Sequence, residues 1–93
     1  MSKIIKSTGN RELSHVIQTD DGKFYVVDSE DTRDCGYETM VFDWDILANK
    51  ISNWLELYVE WHNSETEMRL RHYIICKNFE NLYKADMREG EKE

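Results

Sequence analysis

The stretch Asp34-Cys-Gly-Tyr-Glu-Thr-Met-Val-Phe42 decides how the rest of the chain can be arranged. Its acidic start ends at Gly36, where the missing Cβ allows backbone angles that other residues avoid. From Tyr37 to Phe42 the residues are mostly aromatic or β-branched, which is typical of a strand whose side chains alternate between two faces. The stretch therefore predicts a loop that leads directly into a strand, with Met40 and Phe42 on one face.

Two further strands are predicted before this loop. In residues 12–18, Leu13, His15 and Ile17 alternate with Ser14, Val16 and Gln18. Residues 23–28 are rich in aromatic and β-branched types. Between them, Asp20-Asp21-Gly22 is a hairpin signal, because Asp and Gly tolerate the positive φ angles of tight turns. We therefore expect an antiparallel hairpin, preceded by a flexible lead over residues 1–11.

The tryptophan-rich segment that follows fits two patterns. With the period of a strand, the inward-facing residues are Leu55, Leu57, Val59 and Trp61, and the outward-facing ones include Trp54 and Tyr58. With helical spacing, a single stripe is formed by Leu47, Ile51, Trp54, Tyr58 and Trp61. The composition favours a strand over residues 55–61, and a long helix over residues 44–62 stays as the alternative.

The last element is predicted to be an amphipathic helix. Ser64 and Glu67 have the spacing of a capping box, and an apolar stripe follows at Met68, His72, Ile75, Phe79 and Leu82. We expect the helix over residues 65–84 and a frayed charged tail over residues 85–93. The order β-β-β-β-α predicts a single two-layer α+β domain over residues 12–84, with the helix packed on one face of a small antiparallel sheet. Its alternative is three strands with two helices.

The charge distribution limits the classes of partner. The chain of 93 residues has a net charge of -7, and the segment from Thr19 to Asp45 alone has nine carboxylates against Lys23 and Arg33. This balance argues against direct binding to nucleic acid or to an anionic membrane, and it suits a basic protein partner. The polar start lacks the apolar core of a signal peptide, so we expect a cytoplasmic protein with Cys35 and Cys76 as free thiols.

Three stretches resemble those of a known group of proteins. They are Asp31-Thr32-x-Asp34-x-Gly36-x-Glu38-Thr39-Met40-Val41-Phe42, then Trp54-x-Glu56-Leu57-Tyr58, and then Met68-x-x-x-His72. Over roughly residues 31–80 the chain resembles a group of small uncharacterised bacteriophage and prophage proteins of Gram-positive hosts. Met68 and Arg71 stand where that group has Ala and Gly. The resemblance implies a phage-related protein and a strand over residues 55–61, and it implies no activity because none is known for the group.

The sequence offers one candidate surface for binding. Carboxylates and aromatic residues of the middle segment could contact a basic patch on a host protein, as a nucleic-acid mimic or as an inhibitor of a host or defence enzyme. The residues of this hypothesis are Asp28, Glu30, Asp31, Asp34, Glu38, Trp54 and Tyr58. The alternative interpretation is a solvated face that only keeps a small protein soluble.

We expect no catalytic residue, cofactor or metal. Residues 28–34 do not place an oxygen ligand and a glycine where a calcium loop needs them, and the three histidines lack the spacing of zinc ligands. One alternative function is a small-molecule binder or minor enzyme that uses His72 with Glu38 and Tyr58. Another is a structural, virion-associated protein. The sequence leaves both a monomer and a homodimer open.

Overall fold

The computed structural model describes residues 1–34 and 36–91, with side chains up to Asp86. Five antiparallel strands pair in the order of the chain and one helix follows: β1 (Lys3–Ser7), β2 (Ser14–Gln18), β3 (Phe24–Thr32), β4 (Gly36–Asp45), β5 (Lys50–His62) and α1 (Glu65–Glu91). The predicted α+β class with a C-terminal helix on an antiparallel sheet is confirmed. The alternative with two helices is wrong, because residues 50–62 form a strand.

The start of the chain is ordered, so the prediction of a flexible lead over residues 1–11 is wrong. Lys3 pairs with Gln18 and Ser7 pairs with His15, with a shift of register between Ile4 and Lys6. That irregularity removes the regular alternation by which a strand is recognised in a sequence. Just before β1, the backbone N–H of Ser2 donates to the carbonyl of Lys77 over 3.0 Å, which fastens the start of the chain to the helix.

The two glycine turns form as the sequence predicts. Gly22 closes the hairpin between β2 and β3 with φ +83°, and its N–H donates to the carbonyl of Thr19 over 3.0 Å. Gly36 opens β4 with φ +72°. Both positions need the left-handed region that favours glycine. The Asp-Gly hairpin signal and the strand after Gly36 are therefore confirmed.

Strand β5 is confirmed, but part of its predicted orientation is wrong. Tyr58 packs on the helix side against Phe79, with ring centroids 6.5 Å apart, whereas Trp61 lies opposite Glu38 and is 65% exposed. Trp54 faces away from the helix, as predicted, against Phe42 with centroids 5.6 Å apart. The physical reason is an irregularity in β5 between residues 53 and 58, which reverses the alternation part-way along the strand.

Each face of the sheet has its own buried core. On the helix side, one core joins the strands to α1 through Ile17, Val27, Val41, Ile75, Cys76 and Phe79. On the other side, a second core is formed by Val16, Val26, Phe42 and Trp44. Lys6 of β1 lies over the Trp44 ring and donates to Asn49, in the turn between β4 and β5. Because β1 and β5 are opposite edges of the sheet, this contact requires the sheet to curl away from the helix.

The helix begins where the capping box predicts. The Ser64 hydroxyl accepts the N–H of Glu67 over 3.1 Å, and the Glu67 carboxylate accepts the N–H of Asn63 over 2.7 Å. The predicted stripe is buried at Met68, His72, Ile75 and Phe79. The helix continues to Glu91, past the predicted end at residue 84 and into the predicted tail, whose last two residues lie outside the described chain.

Cys76 is a free thiol in the helix-side core, where burial raises its pKa to about 12. This agrees with the prediction for that residue, whereas Cys35 lies outside the described residues. The helix α1 lacks the long apolar stretch with which a helix crosses a membrane, over all the residues that the structure describes.

Candidate functional site

A groove lies on the face of the sheet opposite α1, and four of the predicted binding residues line it. Its cavity of about 230 Å³ is lined by Arg11, Asp28, Glu30, Glu38, Met40, Phe42 and Trp54. An adjoining cavity of about 90 Å³ shares Arg11, Asp28 and Trp54 with it and reaches Trp44 and Ile51. We call these two cavities together the groove.

The pairing of β3 with β4 positions the acidic side of the groove. Asp28 pairs with Met40, and Glu30 pairs directly with Glu38. Because alternate residues of a strand share a face, all four side chains point away from the helix. The irregularity in β5 then brings Trp54 across Phe42, so that the groove has acidic and aromatic walls.

Arg11 compensates two of the three carboxylates. Its Nε lies 3.1 Å from Asp28 Oδ1, and its Nη1 donates to the Glu30 carboxylate. Burial raises the pKa of Asp28 above its ordinary value, although the nearby Arg11 and a hydrogen bond with Ser14 oppose this. Arg11 lies in the segment that the sequence predicted to be flexible, so its role could not be found from the sequence pattern.

Glu38 is the carboxylate that Arg11 does not pair with. Its residue is only 6% exposed, and within the described part of the chain its carboxylate makes no hydrogen bond or ion pair. Glu30 stands directly opposite, and like charges at such a position of a sheet destabilise it. The groove therefore contains a carboxylate that no basic side chain of its own walls pairs with.

The other predicted binding residues lie elsewhere. Asp31 and Asp34 are exposed at the turn end of the hairpin between β3 and β4, beyond the groove. Tyr58 lies on the helix side, where its hydroxyl donates to Glu60 over 2.7 Å. Burial, together with this hydrogen bond, raises the pKa of Tyr58 to about 12. Arg71 binds the same Glu60 carboxylate through two nitrogens, at 2.5 and 2.9 Å.

A second polar assembly crosses the helix side of the sheet and includes all three histidines. His15 Nδ1 lies 2.8 Å from His72 Nε2, and His72 Nδ1 lies 2.7 Å from the Ser29 hydroxyl. The Ser29 and Thr39 hydroxyls are 2.6 Å apart, and Thr39 lies 2.8 Å from His62 Nε2. We call these five residues the histidine chain. Sequence reasoning missed it, because each member comes from a different strand or from the helix.

The histidine chain is consistent with neutral imidazoles. His15 can donate to His72, which can donate to Ser29, and each hydroxyl can then donate to the next acceptor. This direction leaves the Nδ1 hydrogen of His62 facing Glu60, whose Oε1 is 3.8 Å away. Burial, together with the nearby His15, lowers the pKa of His72 to about 4. Both nitrogens of His72 are thus engaged inside the protein, and the chain acts as a buried structural network.

The residues of the alternative small-molecule site are separated by the sheet. His72 is fully buried on the helix side, and Tyr58 is on the same side. Glu38 lines the groove on the opposite face. Among the described residues, no group of three or more His, Cys, Asp or Glu side chains is arranged to hold a metal ion.

Comparison with known proteins gives no identification. A scan against protein-family models found no match. Searches of curated proteins and of solved structures also found none.

Proposed function

We propose that this protein is a small, non-catalytic interaction protein that binds a basic surface of another protein through the acidic groove and the exposed acids beside it. One observation carries this proposal: Asp28, Glu30 and Glu38 line one cavity with Trp54, and only Arg11 among its lining residues is basic. Charged complementarity of this kind steers encounter and selects partners.

The aromatic residues around the groove support a protein partner. Trp54 is 73% exposed and Trp61 is 65% exposed, and both lie on the face away from the helix. Trp and Tyr are enriched among the residues that dominate binding energy at protein interfaces. Exposed tryptophans beside carboxylates suit a partner whose surface has both apolar and basic side chains.

The kind of partner follows from the resemblance to phage proteins. A phage-related protein with this face would bind a host protein in the cytoplasm of a bacterium, either in place of nucleic acid or as an inhibitor of a host or defence enzyme. The net charge of -7 supports a basic partner and disfavours direct contact with nucleic acid. The protein would act as a monomer or a homodimer.

A binding experiment on the full chain tests the proposal. A basic protein captured from a Gram-positive host is titrated with the wild type and with the triple variant Asp31→Asn/Asp34→Asn/Glu38→Gln. We expect affinity to fall steeply between low and high salt, because opposite charges attract less when screened, and to fall at least tenfold in the variant.

The matched control is Glu56→Gln/Glu65→Gln/Asp86→Asn, which changes the net charge equally at exposed residues that do not line the groove. We expect this control to keep most of the affinity. Binding that ignores salt, or that the two triple variants weaken equally, would refute the proposal.

A further inference from the structure

We infer that the groove is an arginine pocket: one arginine side chain of the partner protein places its guanidinium on Glu38 and its stem against Met40, Phe42 and Trp54. The groove would recognise a guanidinium attached to an apolar stem. It rests on the proposed function only for the identity of the partner as a protein, because the pocket itself can be tested with a small probe.

The charge balance of the groove calls for one further cation. Arg11 pairs with Asp28 and Glu30, and Glu38 is left buried at 6% exposure beside Glu30. A buried charge without a partner is costly, and an opposite charge placed against it recovers that cost. A cation bound at Glu38 would also relieve the repulsion between the two facing glutamates.

The walls of the groove favour arginine over lysine. Trp54 meets Phe42 edge-on, at an interplanar angle of 61°, and remains 73% exposed, so its ring is open to a further contact. A guanidinium is planar, is weakly hydrated, stacks on aromatic rings and binds a carboxylate through two parallel hydrogen bonds. The ammonium of lysine is compact and strongly hydrated, and it forms neither the stack nor the paired bonds.

The size of the groove suits a side chain. The cavity of about 230 Å³ is smaller than the ~300–1,000 Å³ of pockets that enclose a drug-sized ligand. The adjoining cavity is lined by Trp44, whose Nε1 is buried and makes no hydrogen bond within the described residues. Because Trp44 lines this cavity, its indole signal reports on a ligand that binds in the groove.

Titration of the full chain with N-acetyl-arginine amide tests the pocket, and N-acetyl-citrulline amide is the neutral match of the same shape. The readout is the NMR signal of each indole N–H. We expect saturable shifts at Trp54 and Trp44, and an affinity at least tenfold weaker for the citrulline probe. We also expect Glu38→Gln to lose the response to arginine and Glu65→Gln to keep it.

Several outcomes would overturn the inference. They are equal responses to the arginine and citrulline probes, an unchanged response in Glu38→Gln, equal affinity for N-acetyl-lysine amide, or no saturable shift. A shift that appears without any probe as protein concentration rises would instead assign the pocket to an arginine of a second copy.

The pocket and the proposed function can fail separately. Binding of the arginine probe without any basic protein partner would retain the pocket and reject the function. Loss of partner binding in the triple variant, without any response to the arginine probe, would retain the function and reject the pocket.

Discussion

Glu38 is the residue at which binding and stability oppose each other. The residue is 6% exposed and lies opposite Glu30, and its carboxylate has no basic partner in the described chain. We therefore expect Glu38→Gln to raise the free energy of unfolding by about 1 kcal/mol, because a neutral amide costs less to bury than a charge and removes the repulsion across the strands. Urea denaturation measures the change, and Glu56→Gln, at an exposed position, should change stability by less than ~0.5 kcal/mol. A Glu38→Gln protein less stable than the wild type would show that the carboxylate is compensated.

His72 holds the centre of the histidine chain. It is fully buried and contacts His15 and Ser29 through its two nitrogens. We expect His72→Leu to lower the free energy of unfolding by about 2–3 kcal/mol, because an apolar side chain of similar size removes the hydrogen bonds of His72 with the buried Ser29 hydroxyl and with His15. The matched change His15→Leu, at the partly exposed end of the chain, should cost clearly less. Denaturant unfolding that finds equal losses would contradict the central position of His72.

At the scale of elements, the orientation of β5 makes a prediction that separates two aromatic residues. Phe79 is 1% exposed in the helix-side core, whereas Trp61 is 65% exposed. We expect Phe79→Ala to cost ~3–5 kcal/mol of stability, as for other buried aromatic residues, and Trp61→Ala to cost less than ~1 kcal/mol. Thermal and urea unfolding of both variants measure the difference. A large loss from Trp61→Ala would place that tryptophan in a core.

The elements with strong local signals could be predicted from the sequence. Asp21-Gly22 predicted the hairpin between β2 and β3, and Ser64 with Glu67 predicted the start of α1. Both were predictable because turns and caps depend on residues that are close in the chain. The irregularity in β5 could not be predicted: β4 advances two residues from Val41 to Asp43 while β5 goes back five from Tyr58 to Asn53. Between these two pairs β5 therefore uses an odd number of residues more than β4, which turns its side chains to the opposite face of the sheet. Only the pairing between strands, which joins residues far apart in the chain, reveals this change.

The candidate site could be predicted only in part for the same reason. Asp28, Glu30, Glu38 and Trp54 were identified by charge and by aromatic character, and the groove does contain them. Arg11 and the histidine chain were missed, since their partners lie on other strands.

At the scale of the whole molecule, the two faces of the sheet have different characters. The helix side is closed by α1 and contains the histidine chain, whereas the opposite side curls into a groove that stays open to solvent. A fall in pH changes the stability that the titratable groups of the two faces contribute, and the two changes have opposite signs. Burial lowers the pKa of all three histidines, and it raises the pKa of Asp28 in the groove.

The closed face makes the protein sensitive to acid in a defined range of pH. The folded pKa of His72 is about 4, below the ordinary value of 6.5, so the unfolded chain binds a proton in this range and the folded chain does not. Stability therefore falls as pH drops from 6.5 to about 4, by on the order of 2–3 kcal/mol for this group. The folded pKa of Asp28 is raised, so protonation of Asp28 on acidification stabilises the folded protein. This gain offsets part of the loss at the pH values where Asp28 titrates. Urea unfolding between pH 7.5 and pH 4 measures the slope, and His72→Leu should flatten it. An equal slope in that variant would assign the acid sensitivity to His15 and His62 or to carboxylates whose folded pKa is lowered, such as Glu60.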